Sequence, residues 1–272
     1  MQEEIIMIYC ICDDFLKAYG MKDDPHARMS TAEVMTTALV AASQFYGNFE
    51  QSRVFLQEHG YIPAMLGKSR FNRRLHALPS IVWLALFGLL GELHKQRHVH
   101  GEYIVDSLPV AVCDNIRIKR CRLYREEAYR GYIPSKRRYF YGLRVHLLAT
   151  AGGQPVELVL APGAQADGSV FKCLDLDLPP ASVIYADKAY TDYLWEDLLH
   201  EAADLSLIAL RKQNAKRPME GWLRYLCQHT PKRIETAFSQ ITALFARSIH
   251  AVTPRGFELK VFLTALAFSI CG

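Results

Sequence analysis

Three carboxylates sit where a fold could gather them at one site: Asp106 in YIVDSLPV, Asp187 in VIYADKAY and Glu235 in KRIETAFSQ. Each aspartate closes a short apolar, β-rich run, Tyr103 to Val105 in one case and Val183 to Ala186 in the other. Such a position is where a buried strand opens into a crevice. Glu235 opens a segment with apolar residues at Ile234, Ala237, Phe238, Ile241, Leu244 and Phe245, a helical period. Two strand ends and one helix would supply hard oxygen ligands from distant parts of the chain, a donor set suited to magnesium or manganese. The chemistry would be phosphoryl transfer, with two divalent ions clamping the attacking and leaving oxygens of an in-line displacement at phosphorus. Taken singly, a strand-end aspartate is more often the cap of a following turn, and a first-turn glutamate stabilises its helix dipole. The trio in this order is what favours a metal site.

The chain of 272 residues is half hydrophobic, enough for a large core, and its length fits one sizeable domain plus a smaller one. Its seven cysteines are odd in number and form no CxxC pair, so neither a disulfide framework nor a zinc ribbon is signalled. His94, His98 and His100 have a spacing that suggests zinc, but no cysteine or acid completes a set, and a solvent-facing helix end is the expectation. The opening MQEEIIMIYCICDDF lacks a basic flank and its apolar stretch is too short to span a bilayer. The expectation is a folded, soluble protein of a reducing cytoplasm with no membrane role.

Net charge is +4, but it is unevenly placed. Between Arg117 and Arg144 stand ten basic residues, Arg117, Lys119, Arg120, Arg122, Arg125, Arg130, Lys136, Arg137, Arg138 and Arg144, against two acids, Glu126 and Glu127. Interleaved are Tyr124, Tyr129, Tyr132, Tyr139, Phe140 and Tyr141. Cations suit phosphate neutralisation and aromatic rings suit stacking on unpaired bases, so this block reads as a DNA contact rather than a solvated charged hairpin. Lys188, directly after the second aspartate, is placed to steady a scissile phosphate, and Arg211, Lys212, Lys216 and Arg217 would extend the track. Asp167, in GAQADGS, reads as a turn residue with an auxiliary acid as the alternative.

The elements that must position these residues fall into two regimes. From Ile5 to about His100 the pattern is helical, with breaks at Asp23 to Pro25, at Tyr46 to Asn48, in HGYIP and at Pro79. Ser30 and Glu33 form a capping box before the apolar run from Val34 to Phe45. In KSRFNRRLHAL, Arg70, Arg73 and Arg74 lie beside Phe71, Leu75 and Leu78. That pattern fits a helix-turn-helix-like DNA-binding head and equally an amphipathic helix with a solvated basic face. From Glu102 onward strands appear: Tyr103 to Asp106, then Tyr139 to Thr150 and Pro155 to Ala161 joined through Gly152 and Gly153, a hairpin signal. A helix around Ser169 to Leu176, a strand from Ser182 to Ala186, a helix from Asp192 to Ala203 and a strand from Leu205 to Leu210 follow. Residues 212–232 read as a loop insertion pinned by Trp222, Tyr225 and Leu226. Helices from Arg233 to about Arg247 and from Phe257 to Ile270 close the chain, the last almost wholly apolar and therefore buried or paired with another copy. The expected class is mixed α/β: an all-helical domain over 1–100, then over 101–272 a five-stranded mixed sheet flanked by helices, the element order of a ribonuclease H-like fold.

Taken together and in order, IYCICDDFLKAYG, MSTAEVMTTALVAA, KSRFNRRLHALP, VDSLPVAVCDNIRIKRCRLY, RGYIPSKRRYFYGLRVHLL, IYADKAYTDY, KRIETAFSQI and HAVTPRGFELKVFLTALA resemble the DDE-type insertion-sequence transposases, most closely the 982 family of bacterial insertion sequences. The resemblance covers nearly the whole chain. It implies a ribonuclease H-like fold, Asp106, Asp187 and Glu235 as catalytic acids and metal ligands, and magnesium or manganese as cofactor, in two ions. It also implies double-stranded DNA as partner, both element ends and target. Contacts to that DNA are expected from Arg70, Arg73, Arg74, Arg117, Lys119, Arg120, Arg122, Lys136, Arg137, Arg138, Lys188, Lys212 and Arg233. Where many relatives carry a lysine or arginine about two turns beyond the glutamate, this sequence has Thr242, and the nearest downstream cation is Arg247.

Water would hydrolyse the phosphodiester at the element end, and the freed 3′-hydroxyl would attack target DNA. Bringing two ends together favours a homodimer, with the apolar last helix one candidate surface. Two rivals share these features: a ribonuclease H-like nuclease or junction resolvase, and an inactive transposase-derived DNA-binding protein. Intact acids speak against the second.

Overall fold

The computed structural model describes residues 1–212, 214–229, 231–244 and 249–272, without the side chains of 114, 115, 135, 226–229, 231–235, 237 and 238. The chain forms two compact units, Met1–Phe87 with Ile241–Gly272, and Gly88–Gln240.

The first unit is helical. α1 (Gln2–Ala18), α2 (Thr31–Gln44), α3 (Phe49–Glu58) and α4 (Lys68–Ala77) precede α5 (Ser80–Arg97), which begins in this unit and runs into the next. Helix α2 is the hub, touched by α1, α3, α4 and the final helix. It starts where the sequence says it should: the Ser30 side chain accepts the Glu33 amide at 3.1 Å, and Glu33 accepts the Ser30 amide at 2.6 Å. That reciprocal pair satisfies two amides the first turn would otherwise leave orphaned. Every residue from Val34 to Ala42 is buried, as a helix surrounded on all sides requires.

The second unit is built on one sheet. Its strands are β1 (Glu102–Asp114), β2 (Arg130–Ile133), β3 (Arg138–Thr150), β4 (Pro155–Pro162), β5 (Val183–Ala186) and β6 (Ser206–Ala209). The order is β2-β3-β1-β5-β6, with β4 also on β3. β1 is antiparallel to β3 but parallel to β5, and β5 is parallel to β6. Six strands thus occupy a sheet five positions wide. β2 pairs with residues 138–141 of β3 and β4 with residues 143–149, end to end along one edge. The sixth strand corrects the expected count of five, because the four residues RGYI are too short and too charged in context to show a period.

Strand β1 runs eight residues past Asp106 rather than stopping there, since β3 continues to pair with it through Asp114. β5 stops at Ala186, so beyond Val105 that side of β1 is an open edge, where a strand accommodates a residue such as Pro109. Opposite, Gly142 permits a close crossing: a Cβ there would lie 2.2 Å from the Val110 carbonyl oxygen. One face of the sheet packs Tyr103, Val105, Leu148, Ile184 and Leu207 against Phe171 and Leu199. Phe171 comes from α6 (Asp167–Phe171) and Leu199 from α7 (Tyr193–Ala203).

Three helices complete the chain: α8 (Gly221–His229), α9 (Pro231–Leu244) and α10 (Pro254–Cys271). α8 occupies the stretch expected as a loop, and the Trp222 and Tyr225 rings expected to pin it are exposed. Helix α10 packs on α2 in the first unit, with every residue from Val261 to Ser269 buried. Its apolar surface is therefore covered within its own unit, not offered to a second copy, and the sequence boundary at residue 100 does not coincide with the two compact units.

Candidate active site

Parallel register brings the two aspartates together. Val105 pairs with Ala186 across β1 and β5, so the next residues, Asp106 within β1 and Asp187 just past the end of β5, lie roughly 5 Å apart in backbone. Asp187 keeps an extended backbone, φ −67° and ψ 165°, as the chain turns into a short 3₁₀ segment, Lys188–Tyr190. Because Val105 and Ala186 face the packed apolar side, strict alternation sends Asp106 to the opposite face. Asp106 is half-buried and Asp187 exposed. Neither is accounted for by capping alone: the Asp187 side chain makes no cap hydrogen bond to the turn it precedes, and Asp106 Oδ1 accepts the adjacent Ser107 amide at 2.7 Å.

The other sequence-predicted residues are distributed as follows. Glu235 and Arg233 lie in α9, and their side chains are outside the described residues, as is Arg247 altogether. Thr242 is exposed on the same helix. Lys188 is exposed directly beside Asp187. Arg117, Lys119 and Arg120 are exposed on a 3₁₀ helix, Asn115–Arg120, and Arg122 is exposed just beyond it. Lys136, Arg137 and Arg138 are exposed at the tip joining β2 to β3, where Arg137 takes the left-handed conformation that closes the turn, φ 47°. Near that tip Tyr132 and Tyr139, 40% and 46% exposed, lie 4.9 Å apart between ring centroids with their planes tilted by 49°. The Arg130 guanidinium lies 4.4 Å over the Tyr139 ring.

Several cations counted for DNA have protein partners. In the first unit Arg70 and Arg73 are exposed on α4, but Arg74 donates to the Met29 carbonyl and reaches Asp23 at 3.4 Å. Asp23 in turn accepts the Thr31 amide at 2.9 Å, so Arg74 helps close the loop that enters α2. Arg211 makes a two-pronged ion pair with Glu196, both side chains 9% exposed, and Arg217 does the same with Asp197 on the surface. Lys212 is exposed.

Sequence reading named Arg144 and Asp167 singly but missed the polar group they form on the packed face. It comprises Ser107, Arg144, His146, Asp167 and Tyr190. Arg144 Nη1 lies 3.2 Å from Ser107 Oγ and 3.4 Å from Asp167 Oδ1. His146 is fully buried with neither ring nitrogen hydrogen-bonded, and its Nε2 is 3.9 Å from Asp167. Burial pushes His146 down to about 4, with Asp167 opposing and Arg144 assisting. Tyr190 is buried beside them; burial first, then the carboxylates of Asp167, Asp106 and Asp187, hold its phenol well above the ordinary range, so it is a neutral group there. The signal was present: Arg144 and His146 are two apart in an otherwise apolar strand run, hence on one face.

A divalent ion fits this donor set in part. Magnesium is commonly held by one or two carboxylates together with substrate phosphates, and two adjacent aspartates meet that description. Among the described residues no group of three histidine, cysteine or acidic side chains is close enough to form a complete metal cage. No single described helix is long and apolar enough to cross a membrane.

No curated protein and no solved structure gives a significant match to the chain. The family model described as the transposase DDE domain matches residues 96–249, more than half of the sequence and the whole stretch from β1 to α9. On that match, this chain belongs to the DDE transposase family.

Proposed function

We propose that the chain is an active transposase of a bacterial insertion sequence, of the 982 type, cutting phosphodiester bonds at the element ends and joining them to target DNA. The observation that carries the reading is the Val105–Ala186 register, after which Asp106, within β1, and Asp187, just past the end of β5, follow side by side. An antiparallel hairpin followed by two parallel strands, in the order β4-β3-β1-β5-β6, supports a ribonuclease H-like catalytic domain.

In this reading Asp106 and Asp187, with Glu235 from α9, hold magnesium or manganese. Bound between them, two such ions would supply charge neutralisation and a lowered pKa for the attacking water. The chain's own part is to fix two carboxylates on strands whose backbone is hydrogen-bonded on both sides up to that point. Lys188 is placed to hold the scissile phosphate beside Asp187. Arg117, Lys119, Arg120, Arg122, Lys136, Arg137 and Arg138 form a track for the phosphate backbone, with Tyr132 and Tyr139 as a stacking platform. Lys212, Arg233, Arg70 and Arg73 extend the DNA contact. Two element ends require two active sites, which favours a homodimer acting in the bacterial cytoplasm at the nucleoid.

The test is incubation of the purified protein with magnesium and labelled DNA taken from either side of its gene, where a transposase requires inverted repeats, followed by sizing of the products. Nicks at the repeat termini and joined products support the proposal. Cutting confined to branched DNA, independent of the repeats, would make it a junction resolvase instead. Binding to the repeats with no cutting in magnesium or manganese would make it an inactive DNA-binding derivative.

A further inference from the structure

Arg144 belongs by sequence to the basic block, yet it faces inward, its side chain 17% exposed. Its guanidinium ties four segments together. Nη1 donates to Ser107 Oγ at 3.2 Å, one residue past Asp106 on β1, and approaches Asp167 Oδ1 at the start of α6. Nη2 donates to the Tyr132 carbonyl on β2 at 2.9 Å, and Nε donates to the Gly163 carbonyl at 3.2 Å, in the turn after β4. The surroundings are tightly built. A Cβ on Gly163 would lie 2.7 Å from the Tyr129 carbonyl oxygen, and one on Gly131 would strike the Phe140 ring and Gly163.

We infer that Arg144 is a positioning residue that fixes the strand carrying Asp106 and joins it to the tyrosine-bearing β2 strand, instead of contacting DNA. The argument rests on reading Asp106 as a reacting carboxylate. Beyond Val105, β1 loses its β5 partner. The residues just after Asp106 are therefore held by β3 on one side and by side chains such as Arg144 on the packed face. A planar guanidinium with five donors can serve Ser107, Asp167, Tyr132 and Gly163 at once; an ammonium group cannot reproduce that fork. Asp167 supplies the counter-charge, and the neutral His146 beside it adds no competing one.

The experiment compares the full-length wild type with Arg144→Lys, Arg144→Gln and Ser107→Ala, alone and combined. Three quantities are read: affinity for a labelled repeat end, single-turnover cleavage at saturating DNA, and amide hydrogen exchange over residues 103–110. For Arg144→Gln we expect unchanged affinity, faster exchange around Asp106, and cleavage slowed by about 10²-fold, the cost of a misplacement of an ångström in a reacting group. Arg144→Lys should be impaired as well, although a phosphate contact would tolerate it. Ser107→Ala should move in the same direction, and the double variant should be no worse than Arg144→Gln. Full cleavage in Arg144→Lys would overturn the inference, as would a loss confined to affinity. If Arg144→Gln does not fold, Ser107→Ala decides, and normal rate and exchange there overturn it too. If the wild type does not cleave at all, the transposase reading fails separately, while exchange over 103–110 still decides whether Arg144 braces β1.

Discussion

Val105 and Ala186 are partners in a parallel ladder, and each is followed at once by an aspartate. Two carboxylates at that separation repel unless a cation lies between them, which gives the arrangement a testable signature. Asp106→Asn and Asp187→Asn keep side-chain shape while removing charge. Each should abolish measurable end cleavage, with a loss of at least about 10³-fold for a group that holds a catalytic ion. DNA affinity and melting temperature should be retained or slightly raised. Magnesium should raise the melting temperature of the wild type and not of the variants, a readout that needs no catalysis. Wild-type cleavage in either variant would remove the carboxylate pair from the mechanism.

Arg211 and Glu196 form the most enclosed ion pair among the described residues, each 9% exposed, whereas Arg217 and Asp197 repeat the geometry at 51% and 48% exposure. Breaking a buried pair strands a charge, so Glu196→Ala should lower unfolding free energy by about 3 kcal/mol. Asp197→Ala should leave the unfolding free energy almost unchanged, because water screens the exposed pair. Urea denaturation of both variants checks the contrast; equal effects would show that burial does not distinguish them.

His146 gives a pH dependence whose sign follows from its burial. In the unfolded chain it takes up a proton near the ordinary histidine value of 6.5; in the folded chain it does so only near 4. Between these values the unfolded state binds more protons, so stability falls as pH is lowered through the window and this contribution levels off below about 4. At neutral pH and above, the contribution is fully present. Replacing the imidazole by a group that does not titrate, as in His146→Asn, should flatten that part of the stability curve. A variant curve parallel to the wild type between pH 6.5 and 4 would show that His146 is not the group responsible.

What the sequence shows and what it hides divide along physical lines. The Ser30–Glu33 capping box, the Gly152–Gly153 hairpin and Asp187 just past the end of β5 are local patterns, and each lies in the fold as read, whereas Asp106 lies within β1 and not at its end. The inward turn of Arg144, Arg74 and Arg211 is not local. A run of cations says nothing of which ones the tertiary structure pairs, and Asp167, Asp23 and Glu196 stand 15 to 51 residues away from their partners. β1 could not be followed past Asp106 because Pro109 resembles a strand terminus until β3 is known to run alongside. Glu235 is legible as a helix residue, and α9 places it on one, but its side chain lies outside the described residues.

Tyr132 and Tyr139 form a tilted ring pair beside Arg130 at the edge of the sheet, flanked by exposed Lys136 and Arg137. Stacking of a base on an exposed ring contributes about 1–3 kcal/mol. Tyr139→Ala should therefore weaken binding to ends with unpaired terminal nucleotides by about tenfold or more, and binding to blunt duplex far less. Removing Lys136 or Arg137 should weaken both alike and reduce the salt slope of log K by about 1 each. Fluorescence anisotropy across a salt series separates the two behaviours. Equal loss on both DNA forms for Tyr139→Ala would reduce the aromatic pair to a structural contact.

Helix α4 allows the same separation in the first unit. Arg73 is exposed, and Arg74, one residue on, is turned to the Met29 carbonyl and Asp23. If α4 faces DNA, Arg73→Ala lowers affinity for repeat ends with melting temperature unchanged. Arg74→Ala should instead lower the melting temperature, by removing the hydrogen bond that ties α4 to the Met29 carbonyl, and weaken DNA binding only as far as the unit unfolds. A variant pair with the opposite pattern, stable Arg74→Ala protein that no longer binds DNA, would mean that Arg74 leaves Asp23 for phosphate when DNA arrives. Because Asp23 and Thr31 hydrogen-bond each other independently of Arg74, that exchange would leave the loop closed, and Asp23→Asn should then strengthen DNA binding by releasing the arginine.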